Sequence, residues 1–156
     1  MSAPVVDSRV DATSVPAGFK AFLPGGDFIA VNGPLYARMH DGVFQLGFRV
    51  EQRHTNPMGI CHGGMMATFC DMLLPMAAHR SGAVGMRFLP TINLQVDYLA
   101  ACPLGAWVQG EGQVLRTTRS LVFAQGLVHA DGLPVARVSG IFKLGAEFTP
   151  ARELVG

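Results

Sequence analysis

A chain of 156 residues, 49% hydrophobic and 15% charged, fits a single globular domain with enough apolar material for a core. Its 12 basic and 11 acidic residues leave a formal net charge of +1, with no basic stripe to track a phosphate backbone, so nucleic acid is not expected as the main partner. Cys61, Cys70 and Cys102 are odd in number and form no CxxC pair, which argues against a disulfide framework or a zinc knuckle and fits reduced thiols in a cytoplasmic protein.

The first residues lack the basic and apolar regions of a signal peptide. Residues 1 to about 17 have no usable period and read as a loose arm, and the arm as a whole is taken to residue 24. In "GFKAFLPGGD" a short helical turn is expected before Gly25-Gly26 stops it. "LYARMHDGVFQLGFRVE" then reads as two strands around a tight Asp41-Gly42 turn. A helix is expected from about His62 to His79, ended by Ser81, Gly82 and Gly85. Its oiliest part, Met65 to Ala78, is broken by Asp71 and Pro75 and is too short to cross a bilayer.

After the helix, Ile92, Leu94, Val96 and Tyr98 alternate with Thr91, Asn93, Gln95 and Asp97, the period of a strand with two distinct faces. A "CPLG" turn, two long strands, an Asp131-Gly132 turn and a last strand through Leu144 complete the domain. The expected architecture is α+β over residues 25–147, with five to six antiparallel strands, one long helix and a tail from 148 to 156. The 19 glycines, many of them in strands, point to a curved sheet wrapped around that helix.

The chemistry concentrates in "HTNPMGICHGGMMATFCD", residues 54 to 71. Asp71 lies in an apolar helical run whose i±3 and i±4 neighbours, Ala67, Thr68, Leu74 and Pro75, include no cation. It either caps or pairs with a group from elsewhere in the fold, or serves as a general base or nucleophile. His62-Gly63-Gly64 stands at the helix start, where unpaired N–H groups and the helix dipole favour negative charge developing on an oxygen. His62 is either a structural cap or a direct participant. Asn56 either shapes the turn before Pro57 or orients a water or a carbonyl. Eight residues of helix separate Gly63 from Asp71 by ~12 Å, too far for both to touch one carbonyl. A site using both therefore needs two copies of the chain about a two-fold axis, giving two composite sites.

Asn56, His62, Gly63, Gly64 and Asp71 together form the pattern Asn-x5-His-Gly-Gly-x6-Asp. With the strands that follow, the sequence resembles the hotdog-fold acyl-CoA thioesterases, in the PaaI-like branch of the 4-hydroxybenzoyl-CoA thioesterase superfamily, over residues 35 to 144. That resemblance implies a homodimer, often a homotetramer, and hydrolysis of an aryl- or fatty-acyl-CoA with no metal and no cofactor beyond the coenzyme A of the substrate. It implies Asp71 as base or nucleophile and the Gly63 N–H as the group that polarises the carbonyl. Asn56 would position water or thioester, and His62 would support the loop. A small hydroxyl residue on the following strand helps place the water in the family, and Thr91 is the candidate here.

Coenzyme A needs cations for its phosphates, and Arg116, Arg119 and Lys143, with Thr118 between the arginines, are the candidates. "LRTTRS" lacks the glycine that the family usually carries in this turn. Gly64 and Met65 are further substrate-binding candidates at the helix start. Met58, Met65, Met66, Phe69 and Leu73 either line an acyl pocket or belong to the core. The competing functions are hydration of an enoyl thioester on the same fold and non-catalytic acyl-CoA binding.

Overall fold

The computed structural model describes residues 14–22 and 25–147; most of the expected loose arm and the expected tail from 148 to 156 lie outside them. The elements in chain order are strand β1 (Lys20–Phe22), helix α1 (Gly26–Asn32), strands β2 (Leu35–His40) and β3 (Val43–Arg49), a 3-10 turn (Gln52–His54) and helix α2 (Gly63–Arg80). Strands β4 (Thr91–Tyr98), β5 (Trp107–Thr117), β6 (Leu121–Ala130) and β7 (Leu133–Lys143) follow. All seven strands form one antiparallel sheet in the order β1-β2-β3-β5-β6-β7-β4.

The two Asp-Gly dipeptides act as their chemistry demands. Asp41 and Gly42 adopt φ of 49° and 78°, and Asp131 and Gly132 adopt 46° and 83°. Two successive positive φ values match the twist of a hairpin, and Asp-Gly reaches them at little cost. The hairpins β2–β3 and β6–β7 follow directly.

Two expectations for the N-terminal part are corrected. Lys20–Phe22 is a strand, not a helical turn, and it brings the sheet to seven strands. It pairs with β2 through Lys20↔Ala37 and Phe22↔Leu35, and the buried Phe22 ring packs edge-on against Phe44 with centroids 6.5 Å apart. Three residues are too short to display an alternation; pairing to an open strand edge and burial of one ring decide the conformation. Gly25 and Gly26 do not stop a helix but start one, Gly25 being the N-cap of α1 and Gly26 its first residue.

The core lies between α2 and the inner face of the sheet. Phe69, Leu73 and Leu74 of α2 are fully buried with Leu46 and Phe48 of β3 and Val108, Val122 and Val138 of β5 to β7. Each such side chain contributes about 1.5–3 kcal/mol by leaving water. The glycines of β5, β6 and β7 face this helix, while Gly47 of β3 lies under Trp107. A Cβ added at Gly110 would stand 2.7 Å from Leu73 Cδ2, at Gly112 2.8 Å from the Ala77 Cβ, and at Gly140 3.0 Å from Leu74 Cδ1. Bare backbone at these points lets the helix settle close to the sheet.

On the opposite face the described part of the arm lies against the sheet. Phe19 packs edge-on to Trp107 with centroids 5.0 Å apart, the Arg38 guanidinium covers the Phe19 ring at 4.4 Å, and Arg49 donates to the carbonyls of Gly105 and Ser14. Among the described residues no helix is long and apolar enough to cross a membrane.

Gly126 gives the clearest test of this packing, because an added Cβ there would approach the Glu111 backbone oxygen to 2.6 Å, and a backbone atom of a central strand has nowhere to go. Gly126→Ala is expected to lower stability by about 1–3 kcal/mol in urea unfolding. An unchanged midpoint would contradict the close approach.

Candidate functional site

The loop into α2 closes on Asn56. Its Oδ1 accepts from the N–H groups of Met58 (3.0 Å) and Ile60 (3.4 Å), and its own N–H donates to the Ile60 carbonyl at 2.9 Å. The oxygen therefore shapes the turn, while the Asn56 side-chain amide N–H groups donate to nothing among the described residues. Beneath the loop sits His54, which is buried. Its Nδ1 accepts from the Glu51 N–H (3.0 Å), its Nε2 lies 2.6 Å from the Asn32 carbonyl, and its ring stands edge-on to Phe48. These partners assign the proton to Nε2. The His54 carbonyl accepts the His62 N–H at 2.8 Å, so this histidine carries the start of the helix.

His62 is the N-cap of α2, as the structural alternative for it required. Its Nδ1 accepts the Gly64 N–H at 2.8 Å, and its carbonyl accepts the N–H groups of Met65 (2.9 Å) and Met66 (3.1 Å). A helix begins with four N–H groups that have no partner within it. Three are satisfied by His62, and the fourth, on Gly63, donates to nothing among the described residues. A single open donor thus remains at the positive end of an 18-residue helix. The Gly63 carbonyl accepts the Tyr98 hydroxyl at 2.6 Å, and the Tyr98 ring lies 3.4 Å from where a Gly63 Cβ would be.

Two turns along, Asp71 is half-buried on the helix face toward β4, and its Oδ1 accepts the Thr91 hydroxyl at 2.6 Å. No ion pair joins Asp71 among the described residues. Strict alternation places Thr91 on the face opposite Leu94, away from the helix. The structure differs because β4 carries a bulge between Thr91 and Asn93: Leu94 pairs with Gly140 and Asn93 with Ile141, but Thr91 pairs with Phe142. The extra residue, Ile92, turns Thr91 to the inner face. If the same residues paired without the bulge, Ile92 would take the place opposite Phe142 and the Thr91 hydroxyl would point away from the carboxylate.

Gly63 and Asp71 lie on one unbroken helix, so the ~12 Å between them stands and they cannot meet at one atom within a chain. Strand β4 ends the sheet, pairs only with β7 among the described strands, and leaves Ile92, Tyr98 and Leu99 exposed.

The remaining candidates divide. Arg116, Arg119 and Lys143 are exposed at the same end of the sheet, where Lys143 pairs with Leu121. The Lys143 N–H donates to the Pro90 carbonyl at 2.9 Å, which puts this end beside Thr91 and Asp71. The Thr118 hydroxyl accepts from the N–H groups of Leu121 (3.0 Å) and Ser120 (3.4 Å), closing the β5–β6 turn without a glycine. The Gly64 N–H is taken by His62. Met65, Met66, Phe69 and Leu73 are buried in the core, whereas Met58 is 82% exposed on the loop.

Sequence reasoning missed His54 and Tyr98. A lone histidine in a polar stretch carries no local sign of burial. In the sequence, Tyr98 reads only as one apolar member of an alternating strand.

Among the described residues no group of three His, Cys, Asp or Glu side chains could hold a metal. The thiols of Cys61 and Cys102 are buried beside the helix start, the Cys61 N–H donating to the Cys102 carbonyl at 2.7 Å, and that of Cys70 is buried two turns along the helix next to Asp71. Burial pushes the Cys61 thiol up to about 11 and, with smaller effects from nearby charges, those of Cys70 and Cys102 to about 12. In the unfolded chain these thiols ionise near 9, so the stability they contribute is complete below that pH and is lost as pH rises toward 11–12. At pH 8 the native protein should react with a thiol reagent far more slowly than the denatured chain, in which all three cysteines label. Rapid native labelling would contradict the burial.

Residues 58–136 match the family described as the thioesterase superfamily. The Pseudomonas aeruginosa protein named "Putative esterase PA0474" is 28% identical over 133 residues, covering 84% of this chain and 98% of its own length. Mouse acyl-coenzyme A thioesterase 13 is 30% identical over 78 residues, which are 49% of this chain and 53% of the mouse protein. In structure, zebrafish thioesterase superfamily member 2 superposes with a TM-score of 0.66 at 27% identity, over 79% of this chain and 88% of that one.

Proposed function

The chain belongs to the thioesterase superfamily and is a thioester hydrolase, and we propose that it cleaves an acyl-coenzyme A, aryl or fatty, to the free acid and coenzyme A in a site shared by two copies. The observation that carries this reading is the half-buried Asp71 carboxylate with a hydroxyl partner and, among the described residues, no cation, two turns along the helix from a single N–H at Gly63 left open by those same residues. The name of the mouse relative supports the choice of acyl carrier.

In this reading the Gly63 N–H of one copy donates to the thioester oxygen. A preorganised donor of this kind is worth about 2.7–4 kcal/mol when charge develops on that oxygen. Asp71 of the other copy removes a proton from the attacking water, or attacks the carbonyl carbon itself. The Thr91 hydroxyl holds Oδ1 and leaves the second oxygen for the chemistry. The Asn56 amide N–H groups orient the water or the thioester, and His62, by capping Gly64, keeps the donor at Gly63 single. The tetrahedral intermediate collapses with loss of the coenzyme A thiolate, which takes up the proton drawn from water; where Asp71 itself attacks, the collapse leaves a mixed anhydride on its carboxyl, which water then hydrolyses to the free acid.

Arg116, Arg119 and Lys143 are the cations available for the phosphates on the Asp71 side. Coenzyme A enters as part of the substrate, and no step calls on a metal or resident cofactor. The unpaired edge of β4, with Ile92, Tyr98 and Leu99 exposed along it, supports its pairing with a second copy. Three buried, unpaired thiols suit a reducing compartment such as the cytoplasm.

The test is steady-state thiol release from phenylacetyl-, hydroxybenzoyl-, short-chain and long-chain acyl-CoAs. Asp71→Asn and Asp71→Ala are expected to lose about 10²–10⁴-fold in kcat while remaining folded dimers. Thr91→Ala should lose about tenfold, since it removes an orienting bond and not the base. No release by the wild type from any of these substrates, or Asp71 variants that match it, would sink the reading.

A further inference from the structure

We infer that Tyr98 is a positioning residue that fixes the direction of the Gly63 N–H, and so of the thioester carbonyl; the inference rests on the carbonyl-binding role proposed for Gly63. The Gly63–Gly64 peptide unit is held from both sides. Its carbonyl accepts the Tyr98 hydroxyl at 2.6 Å, and its N–H donates to His62 Nδ1 at 2.8 Å.

Such a grip answers a specific weakness. Two consecutive glycines have the widest backbone freedom of any dipeptide; the open donor belongs to the preceding His62–Gly63 unit, and a shift of the Gly63–Gly64 unit, joined to it through the Gly63 Cα, would swing that donor away from a carbonyl. Within the helix, His62 fixes the N–H side of the unit and the i→i−4 bond engages only one lone pair of its carbonyl. Tyr98 supplies the other anchor from β4, a strand that also delivers Thr91 to Asp71, so one strand sets both ends of the half-site.

Core packing does not account for this tyrosine. Its side chain is 56% exposed, and the same strand carries Leu94 and Val96 against the core. Burial, with lesser effects from Cys70 and Cys61, holds the phenol above its ordinary range, so it stays protonated and able to donate at neutral pH. The space for its ring exists because residue 63 has no side chain.

Tyr98→Phe keeps the ring and removes the hydroxyl. Removing an oxyanion donor outright costs 10²–10³ in kcat, and loosening it should forfeit part of that: kcat on the best acyl-CoA falls on the order of tenfold while KM stays within about twofold. The variant should keep the wild-type thermal midpoint, and amide exchange at Gly63 and Gly64 should quicken. Tyr98→Leu should show the same split of kcat from KM with a lower midpoint.

Wild-type kcat in Tyr98→Phe, a change in KM alone, or unaltered exchange at both glycines would overturn the positioning role. If the wild type releases no thiol from any acyl-CoA, the substrate reading falls instead. The exchange measurement then decides the grip on the peptide by itself.

Discussion

The close approach of α2 to the inner face of the sheet is the constraint on which the remainder depends. A helix can lie this near only where the strands present bare backbone, and Gly110, Gly112, Gly126 and Gly140 do so along three neighbouring strands. Once the helix is seated, its N-terminus and its middle are fixed relative to the sheet edge. Tyr98 then meets Gly63 and Thr91 meets Asp71, one contact near each end of β4.

The polar groups obey a matching economy. His62 satisfies three of the four N–H groups of the first turn with one ring nitrogen and one carbonyl, and the unsatisfied one, on Gly63, is the donor proposed for the thioester oxygen. The layer beneath is as complete, since both ring nitrogens of His54 are engaged and its carbonyl holds the His62 N–H. The two partly open groups of the site, the Gly63 N–H and the Asp71 carboxylate, therefore stand out against a background in which their neighbours are paired. Polar groups left open beside well-satisfied ones are candidates for contact with a ligand.

Much of this was legible in the sequence because it rests on local rules. The helix bounds, the two Asp-Gly hairpins, the cap at His62 and the unpaired Asp71 follow from turn chemistry, capping and helical spacing, which act over a few residues. What escaped depends on partners distant in the chain. Lys20–Phe22 became a strand because β2, fifteen residues on, offers it an edge. His54 is buried by Phe48 and by a carbonyl from residue 32. The hydroxyl of Tyr98 matters only because Gly63 lies beneath it. Thr91 was chosen by resemblance, whereas the reason it can reach Asp71, the bulge at Ile92, breaks the alternation from which that strand was recognised.

That bulge makes the count of residues in β4 a chemical variable. Strand parity normally decides only whether a side chain is wet or dry, but at this edge it decides whether a carboxylate has a hydroxyl beside it. The same residues paired without the bulge would keep Leu94 and Val96 in register while turning position 91 to the far side, whereas loss of Ile92 would set Thr91 opposite Phe142 in regular pairing and keep its hydroxyl inside. A related chain one residue shorter at this point would keep both its core and the hydroxyl beside its carboxylate, without any bulge. Matching two such strands by their hydrophobic pattern would therefore misassign the hydroxyl position by one, and the gap belongs at Ile92.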